Sequence, residues 1–254
     1  MSLLSIENLD HDVRLGLWKM DEVCEDDFLC IKGMADVIPD IVSNYRSASR
    51  RHEKLCIYAL LFAMTGDSLL RIGHEASGKP FIDGMNISIT HTKGYAALIL
   101  SQTHNVAVDI EYCSNRVERI VERFIRADES MNGVEQHLIN WSAKETMYKF
   151  FSEEDLQYFD MRVHPFDVAA DGELLVDNLK LSSSQLDGQE HSSSQFDERE
   201  YSSSQFDERE HSSSQFDGRE HSSSQFDGRE PATISKALRV FYRLNEDYVI
   251  TYAF

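Results

Sequence analysis

"NISITHTKGYAALILSQTHNVAVDIEY", residues 86–112, reads as three strands in succession. The tight link "HTKG" joins the first two, and "THN" turns the chain into the third, "VAVDIEY" at 106–112. Val106, Val108, Ile110 and Tyr112 share one face of that third strand, and Asp109 and Glu111 share the other. Acidic residues are poor strand formers. Two carboxylates on one face repel, and one tends to take up a proton. A divalent cation removes the conflict, and oxygen-only ligation suits a hard ion such as Mg²⁺. The competing account is two solvated acids on the open face of an edge strand.

Outward from these strands, two blocks with similar grammar emerge. Before them, "VRLGLWKM" (13–20) alternates as a strand, and 39–67 reads as helix broken near Ser47–Ser49. The apolar run from Leu55 to Met64, interrupted by Tyr58, predicts a buried second segment. "SGKPFIDG" (77–84) is rich in turn formers. After them, Val117, Ile120, Val121, Phe124 and Ile125 predict an amphipathic helix over 116–129. A long helix is expected over 134–151, then strands near 161–168, 173–179, 236–244 and 247–253. Helices followed by antiparallel strands, twice, predict an α+β fold with hairpins. The order leaves room for two pseudo-symmetric halves, 1–103 and 104–254.

Residues 182–230 break this pattern with five copies of a ten-residue repeat of the type SSSQFDEREH, the last lacking its tenth residue. One apolar side chain per ten residues cannot offset the ordering entropy of the backbone, which predicts a disordered, acidic surface insertion. Without these 49 residues the chain has 205, and its formal charge goes from −19 to −11. Such a balance disfavours binders of nucleic acid or anionic membranes. The cysteines, 24, 30, 56 and 113, form no C-x-x-C pair, so buried free thiols in a reducing compartment are expected. With no apolar leader near the N-terminus and no run of about 18 apolar residues, a soluble cytoplasmic protein is expected.

The stretch "NWSAKETMYKF" (140–150) lies on the long helix. Trp141, Glu145 and Lys149 recur at i, i+4, i+8 and share a stripe, with Lys144 and Tyr148 beside it. Glu145 and Lys149 are either an ordinary surface pair or a third carboxylate for an ion with a lysine ready to meet phosphate.

Together, "VAVDIEY" and "WSAKETMYK", some thirty residues apart, resemble the 4′-phosphopantetheinyl transferase superfamily, which carries a G-[IV]-D-[IV]-E strand and a W-[ST]-x-K-E-[AS]-x-x-K helix. Asp109, Glu111, Trp141, Lys144, Glu145 and Lys149 are kept, while Ala107 stands where the family usually has Gly. "SGKPFI" (77–82) and "ISITH" (87–91) are similar to the family's G-K-P and S-[IVL]-[ST]-H segments. The length without the repeats resembles the larger monomeric class, the type that activates surfactin synthetase.

The resemblance implies two halves, each a helix on a small, mainly antiparallel sheet, with the active site at their interface. It implies transfer of the phosphopantetheine arm of coenzyme A to a serine of an apo acyl or peptidyl carrier protein, serving fatty-acid, polyketide or nonribosomal peptide synthesis. Asp109, Glu111 and Glu145 are then the ligands of Mg²⁺ (or Mn²⁺). Glu145 is the base, and Lys149 stabilises charge on the phosphoryl oxygens. His91, Lys79 and Lys144 contact coenzyme A. Arg51 is a candidate for its 3′-phosphate, with Arg50 or Lys54 able to take that role. Arg116, Arg119 and Arg123 are candidates for docking the carrier. Two rivals remain: a Mg²⁺-dependent nuclease or phosphodiesterase, which needs a basic groove that this charge balance does not suggest, and a non-enzymatic protein acting through its repeats.

Overall fold

Strands β5 (Asn86–Thr92), β6 (Tyr95–Ser101) and β7 (Ala107–Tyr112) fall where the 86–112 stretch puts them. Gly94 closes the β5–β6 hairpin at φ 81°, a left-handed conformation that a side chain would strain. The computed structural model describes residues 2–21, 24–180 and 236–254, so the repeats expected to be a disordered insertion lie outside the described residues. Residues 2–180 and 236–254 form one compact unit.

The fold is mixed α+β, and both larger sheets are antiparallel throughout. Strands β1 (Ser2–Asn8) and β2 (Arg14–Lys19) extend the β5–β6 pair into a four-stranded sheet of order β1-β2-β6-β5. The second sheet, with β8 (Met161–Val163), β9 (Asp171–Asn178), β10 (Lys236–Leu244) and β11 (Tyr248–Ala253), has the order β7-β11-β10-β9-β8. A two-stranded ribbon, β3 (Gly73–His74) with β4 (Pro80–Phe81), precedes β5 in the sequence. β1 has no counterpart in the sequence reading. A register shift between Leu3 and Ser5 interrupts its alternation, which hides the strand from a period-2 search.

Helix α1 (Met34–Asn44) and helix α2 (Ala48–Thr65) are separated where the sequence breaks. The Ser47 hydroxyl accepts the Arg50 N–H to start α2, and Gly66, at φ 71°, ends it. α2 packs flush on β2 because Gly16 has no side chain; a Cβ there would collide with Met64 and Leu60. Leu55, Leu60 and Leu61 of α2 join Trp18, Leu98 and Leu100 in one apolar cluster. The opposite face of this sheet offers Val13, Leu15, Leu17, Ala97 and Ile99, which meet Val108, Ile110, Ile250 and Tyr252 of the second sheet. Helix α3 (Val134–Phe150) covers the far face of the second sheet, where Leu138, Ile139, Ala143 and Met147 pack on Val176, Val240 and Val249. The layers thus run α2, sheet, sheet, α3.

At one side the two sheets meet edge to edge, through side chains. Ser88 Oγ, Thr90 Oγ1 and Thr92 Oγ1 of β5 accept the backbone N–H groups of Val108, Ile110 and Tyr112, at 3.1, 3.3 and 3.2 Å. Every second residue of β5 therefore satisfies an N–H of β7 that lacks a strand partner on that side.

Three expectations need correction. The segment 116–129 is not an amphipathic helix but two short 3₁₀ turns, Asn115–Arg119 and Val121–Arg123. Its i, i+3 spacing serves a 3₁₀ turn as well, and burial of Val117 and Phe124 holds the chain at two points on α3. The strand expected over 161–168 stops at Val163. All four cysteines are free, but only Cys56 is buried; Cys24 and Cys30 are exposed. No helix among the described residues is long and apolar enough to cross a membrane.

Candidate active site

β7 is buried on both faces, and this answers why its acids sit there. Val108 and Ile110 fill the space between the sheets, while Asp109 (0% exposed) and Glu111 (5%) point to the α3 side. The solvated-acid account fails on burial: a carboxylate withdrawn from water needs dedicated partners.

Asp109 has them. Its Oδ1 accepts from Lys149 Nζ at 2.7 Å and Thr90 Oγ1 at 3.2 Å, and its Oδ2 accepts from Ser142 Oγ at 2.9 Å. Lys149 Nζ also donates to the Val108 carbonyl at 3.1 Å. Ser142 and Lys149 are seven residues apart on α3, two turns, so both reach the same strand residue. Thr251 of β11 bonds Ser142 and Thr146, fixing α3 against the sheet.

Each glutamate has one aromatic donor. The Trp141 indole N–H donates to Glu111 Oε1 at 3.0 Å, and the Tyr158 hydroxyl donates to Glu145 Oε1 at 2.5 Å. The two rings stack, with centroids 4.9 Å apart and planes at 29°. Among the described residues, Glu111 Oε2 and Glu145 Oε2 have no protein donor.

The electrostatics follow from this crowding. Burial, then repulsion from Asp109 and Glu145, raises Glu111 well above the usual carboxylate range, against the Trp141 hydrogen bond and Lys149. Burial and Asp109 likewise raise Glu145, against Lys149 and Tyr158. Burial acts to lower the Lys149 ammonium, but Asp109 and Glu145 outweigh it and hold it above its ordinary value. Burial and Glu145 raise the Tyr158 phenol, so it stays a donor.

Across the junction, His91 Nε2 stands 3.5 Å from Glu53 Oε2, and Arg50 Nη1 reaches the same oxygen at 3.4 Å. Burial lowers the His91 pKa; Glu53 opposes this, while Arg50, Lys149 and Lys54 reinforce it. His91 is therefore neutral at pH 7, in a field to which Arg50, Lys54 and Lys149 all contribute positive charge.

The expected site residues thus divide. Asp109, Glu111, Glu145, Lys149 and Trp141 are gathered on one side of α3, with His91 close enough to feel Lys149. Lys144 is not among them: it is 0% exposed and donates to Glu129 Oε2 (2.8 Å), the Phe124 carbonyl (2.6 Å) and the Tyr158 carbonyl (3.3 Å). It therefore has no donor left for a phosphate. Arg51 is turned away as well, paired with Glu25 and with the Tyr45 and Arg46 carbonyls, whereas Arg50 shares the Glu53 carboxylate with His91 and Lys54 contributes to the field at His91 from beside the Tyr45 ring. Lys79 lies in the turn between β3 and β4, where its backbone bonds Glu75 and Ser77. Its side chain touches none of the acids among the described residues.

Thr90, Ser142 and Tyr158 are site residues that the sequence reading missed. Thr90 and Ser142 sit inside the quoted motifs at positions whose faces could have been computed, since Thr90 shares a face of β5 with Ser88 and Thr92. Tyr158 opens a short 3₁₀ turn, Tyr158–Asp160, after α3, and no local pattern marks it.

Among the described residues, no group of three or more His, Cys, Asp or Glu is arranged to hold a metal ion. The expected three-carboxylate ligand set is thus present as residues, not as a preformed cage. The donor chemistry still suits Mg²⁺, which is bound by one or two carboxylates together with water and substrate phosphate: all donors are oxygen, and two glutamates each keep an oxygen free of protein donors. Compared with known families and curated proteins, the chain matches no family model and no curated protein.

Proposed function

We propose that this chain is a 4′-phosphopantetheinyl transferase that moves the phosphopantetheine arm of coenzyme A to a serine of an apo acyl or peptidyl carrier protein. The observation that carries the reading is the meeting of Asp109, Glu111, Glu145 and Lys149, drawn from two segments thirty residues apart, beside a neutral histidine on the adjoining sheet. Phosphoryl transfer asks mainly for positioning and for neutralisation of oxygen charge, and this group offers both.

In this reading Asp109, Glu111 and Glu145 would hold Mg²⁺, which supplies charge neutralisation at the pyrophosphate oxygens. Glu145, directly or through one water, takes the proton of the carrier serine. The serine oxygen forms a bond to the pantetheine-side phosphorus as the bond to the bridging oxygen breaks, and the electron pair leaves on adenosine 3′,5′-bisphosphate. Lys149 stabilises charge on the phosphoryl oxygens, and His91 offers a neutral N–H to a phosphate. Arg50, which shares Glu53 with His91, and Lys54, whose charge reaches His91, replace Arg51 as the groups for the 3′-phosphate, and Lys79 would reach coenzyme A from its turn. Arg119 and Arg123 are exposed just beyond β7, where an acidic carrier has to dock.

The reading also implies two pseudo-symmetric halves with the active site between them. In favour of this, each larger sheet carries a long helix on one face, and the hydroxyl ladder of β5 runs along the acid strand. Against a strict repeat, the sheets have four and five strands and different strand orders. The monomeric, cytoplasmic form and the service to fatty-acid, polyketide or peptide synthesis belong to the same proposal.

The test is mass spectrometry of an apo carrier protein incubated with this protein, coenzyme A and Mg²⁺. A gain of about 340 Da on one serine is expected for the transferred arm. An unmodified carrier across acyl and peptidyl types, with coenzyme A intact, sinks the proposal.

A further inference from the structure

We propose that Tyr158 is a positioning residue of the acidic site: its hydroxyl holds one oxygen of Glu145, as the Trp141 indole holds one oxygen of Glu111, leaving the second oxygen of each glutamate to a shared divalent cation. This rests on the reading of the site as a cation-dependent transferase, and it goes beyond the motif residues, which do not include Tyr158.

Three observations converge on it. The Tyr158 Oη to Glu145 Oε1 distance is 2.5 Å, at the close end of the range for a hydroxyl donating to a carboxylate. The tyrosine ring is stacked on Trp141, which is itself edge-on to buried Phe124 at 5.0 Å, so neither donor can swing without unstacking. The Tyr158 backbone is fixed as well, since its carbonyl accepts from fully buried Lys144. Lys144, Trp141 and Glu145 lie within two turns of α3, so a single helix fixes the backbone, ring and hydroxyl of one tyrosine. The stacked pair thus presents an N–H and an O–H to two glutamates on different elements, and each carboxylate is held in one orientation before any ligand arrives. Partners of this kind are worth roughly 10- to 100-fold in metal affinity or activity.

The test uses the full chain and Mn²⁺ alone as the probe, with binding followed by electron paramagnetic resonance. Tyr158→Phe keeps the ring and removes only the hydroxyl. It is expected to weaken Mn²⁺ binding by about 10-fold or more, to lower kcat for transfer by a similar factor, and to leave KM for coenzyme A within about twofold. Tyr158→Leu, which also loses the stack, is expected to weaken Mn²⁺ binding further and to lower the melting temperature. A merely structural tyrosine gives the opposite split: Tyr158→Phe then melts lower while its Mn²⁺ affinity and kcat stay at wild-type values, and that result overturns the proposal. Wild-type protein that binds Mn²⁺ but transfers nothing overturns the transferase reading alone; the place of Tyr158 is still decided by the Mn²⁺ affinity of Tyr158→Phe.

Discussion

Lys144 Nζ lies 2.8 Å from Glu129 Oε2, and neither side chain has any exposed surface. Glu129 further accepts the Arg126 and Val163 N–H groups, at 2.7 and 2.6 Å, so the pair ties α3 to the segment before it and to β8. Breaking one partner of a buried pair strands the other, at a cost of about 3–5 kcal/mol. Lys144→Met is expected to lower the melting temperature by roughly 10 °C at the usual conversion for a domain of this size. The double variant Lys144→Met, Glu129→Gln removes the stranded charge while keeping an acceptor oxygen for the backbone N–H groups, and is expected to recover part of that. Calorimetry checks both; an undiminished melting temperature with weakened coenzyme A binding would return Lys144 to the ligand.

Lys149 has the opposite character, since it is partly exposed and faces the acids. Lys149→Met is expected to lower kcat for transfer by about 10²- to 10³-fold, the scale of losing one preorganised charge at a developing oxyanion. KM for coenzyme A is expected to change much less. Initial rates of carrier modification decide it.

The two neighbouring arginines of α2 are expected to separate cleanly. Arg50→Ala raises KM for coenzyme A by roughly 10-fold, the value of about one charge-assisted contact. Arg51→Ala leaves that KM within about twofold, because its guanidinium is turned toward Glu25 and two carbonyls. A larger effect from Arg51→Ala refutes the assignment.

Asp177 supplies a pH-dependent prediction away from the site. Burial acts to raise its pKa, but Arg162 and His164, at 2.7 and 2.9 Å, outweigh it and hold the carboxyl below the usual range. A depressed folded pKa stabilises the fold above the unfolded value near 3.9. That contribution disappears as pH falls through the lower folded value. Asp177→Asn is expected to melt a few degrees below wild type at pH 7, matching about 1–2 kcal/mol for hydrogen bonds to a charge with half-exposed partners. The gap closes as pH drops below about 4. Thermal melts from pH 7 to pH 3 test this, and a gap of constant size rejects it.

Removing 182–230 is expected to leave the transfer rate within about twofold of wild type and the melting temperature within about 2 °C. A protein that works through its repeats loses its function in the same experiment.

Much of this architecture is legible from periodicity. The β5–β6–β7 run, the break at Ser47 and the length of α3 each follow from local spacing and punctuation. The acid pair on β7 is legible because two carboxylates on one strand face contradict strand chemistry. The misread residues depend on partners distant in sequence. Lys144 sits three residues from Trp141, and helix geometry alone leaves its direction undecided. Glu129, in a stretch with no regular structure, turns it inward. Arg50 and Arg51 differ by one step of 100°, so an uncertain helix start exchanges their roles. The 116–129 segment fails for the reverse reason: its spacing suits two kinds of turn, and packing against α3 selects the shorter.

The pairing of β9 with β10 ends on Asn178 opposite Lys236, and Glu154 bonds both of those side chains. The two points where the chain departs and returns are therefore neighbours in a ladder that is already closed. Any number of residues can be spliced between them, and no strand has to slide to make room. Alleles that gain or lose whole decamers by slippage during replication should consequently yield the same folded body, which leaves copy number free to drift.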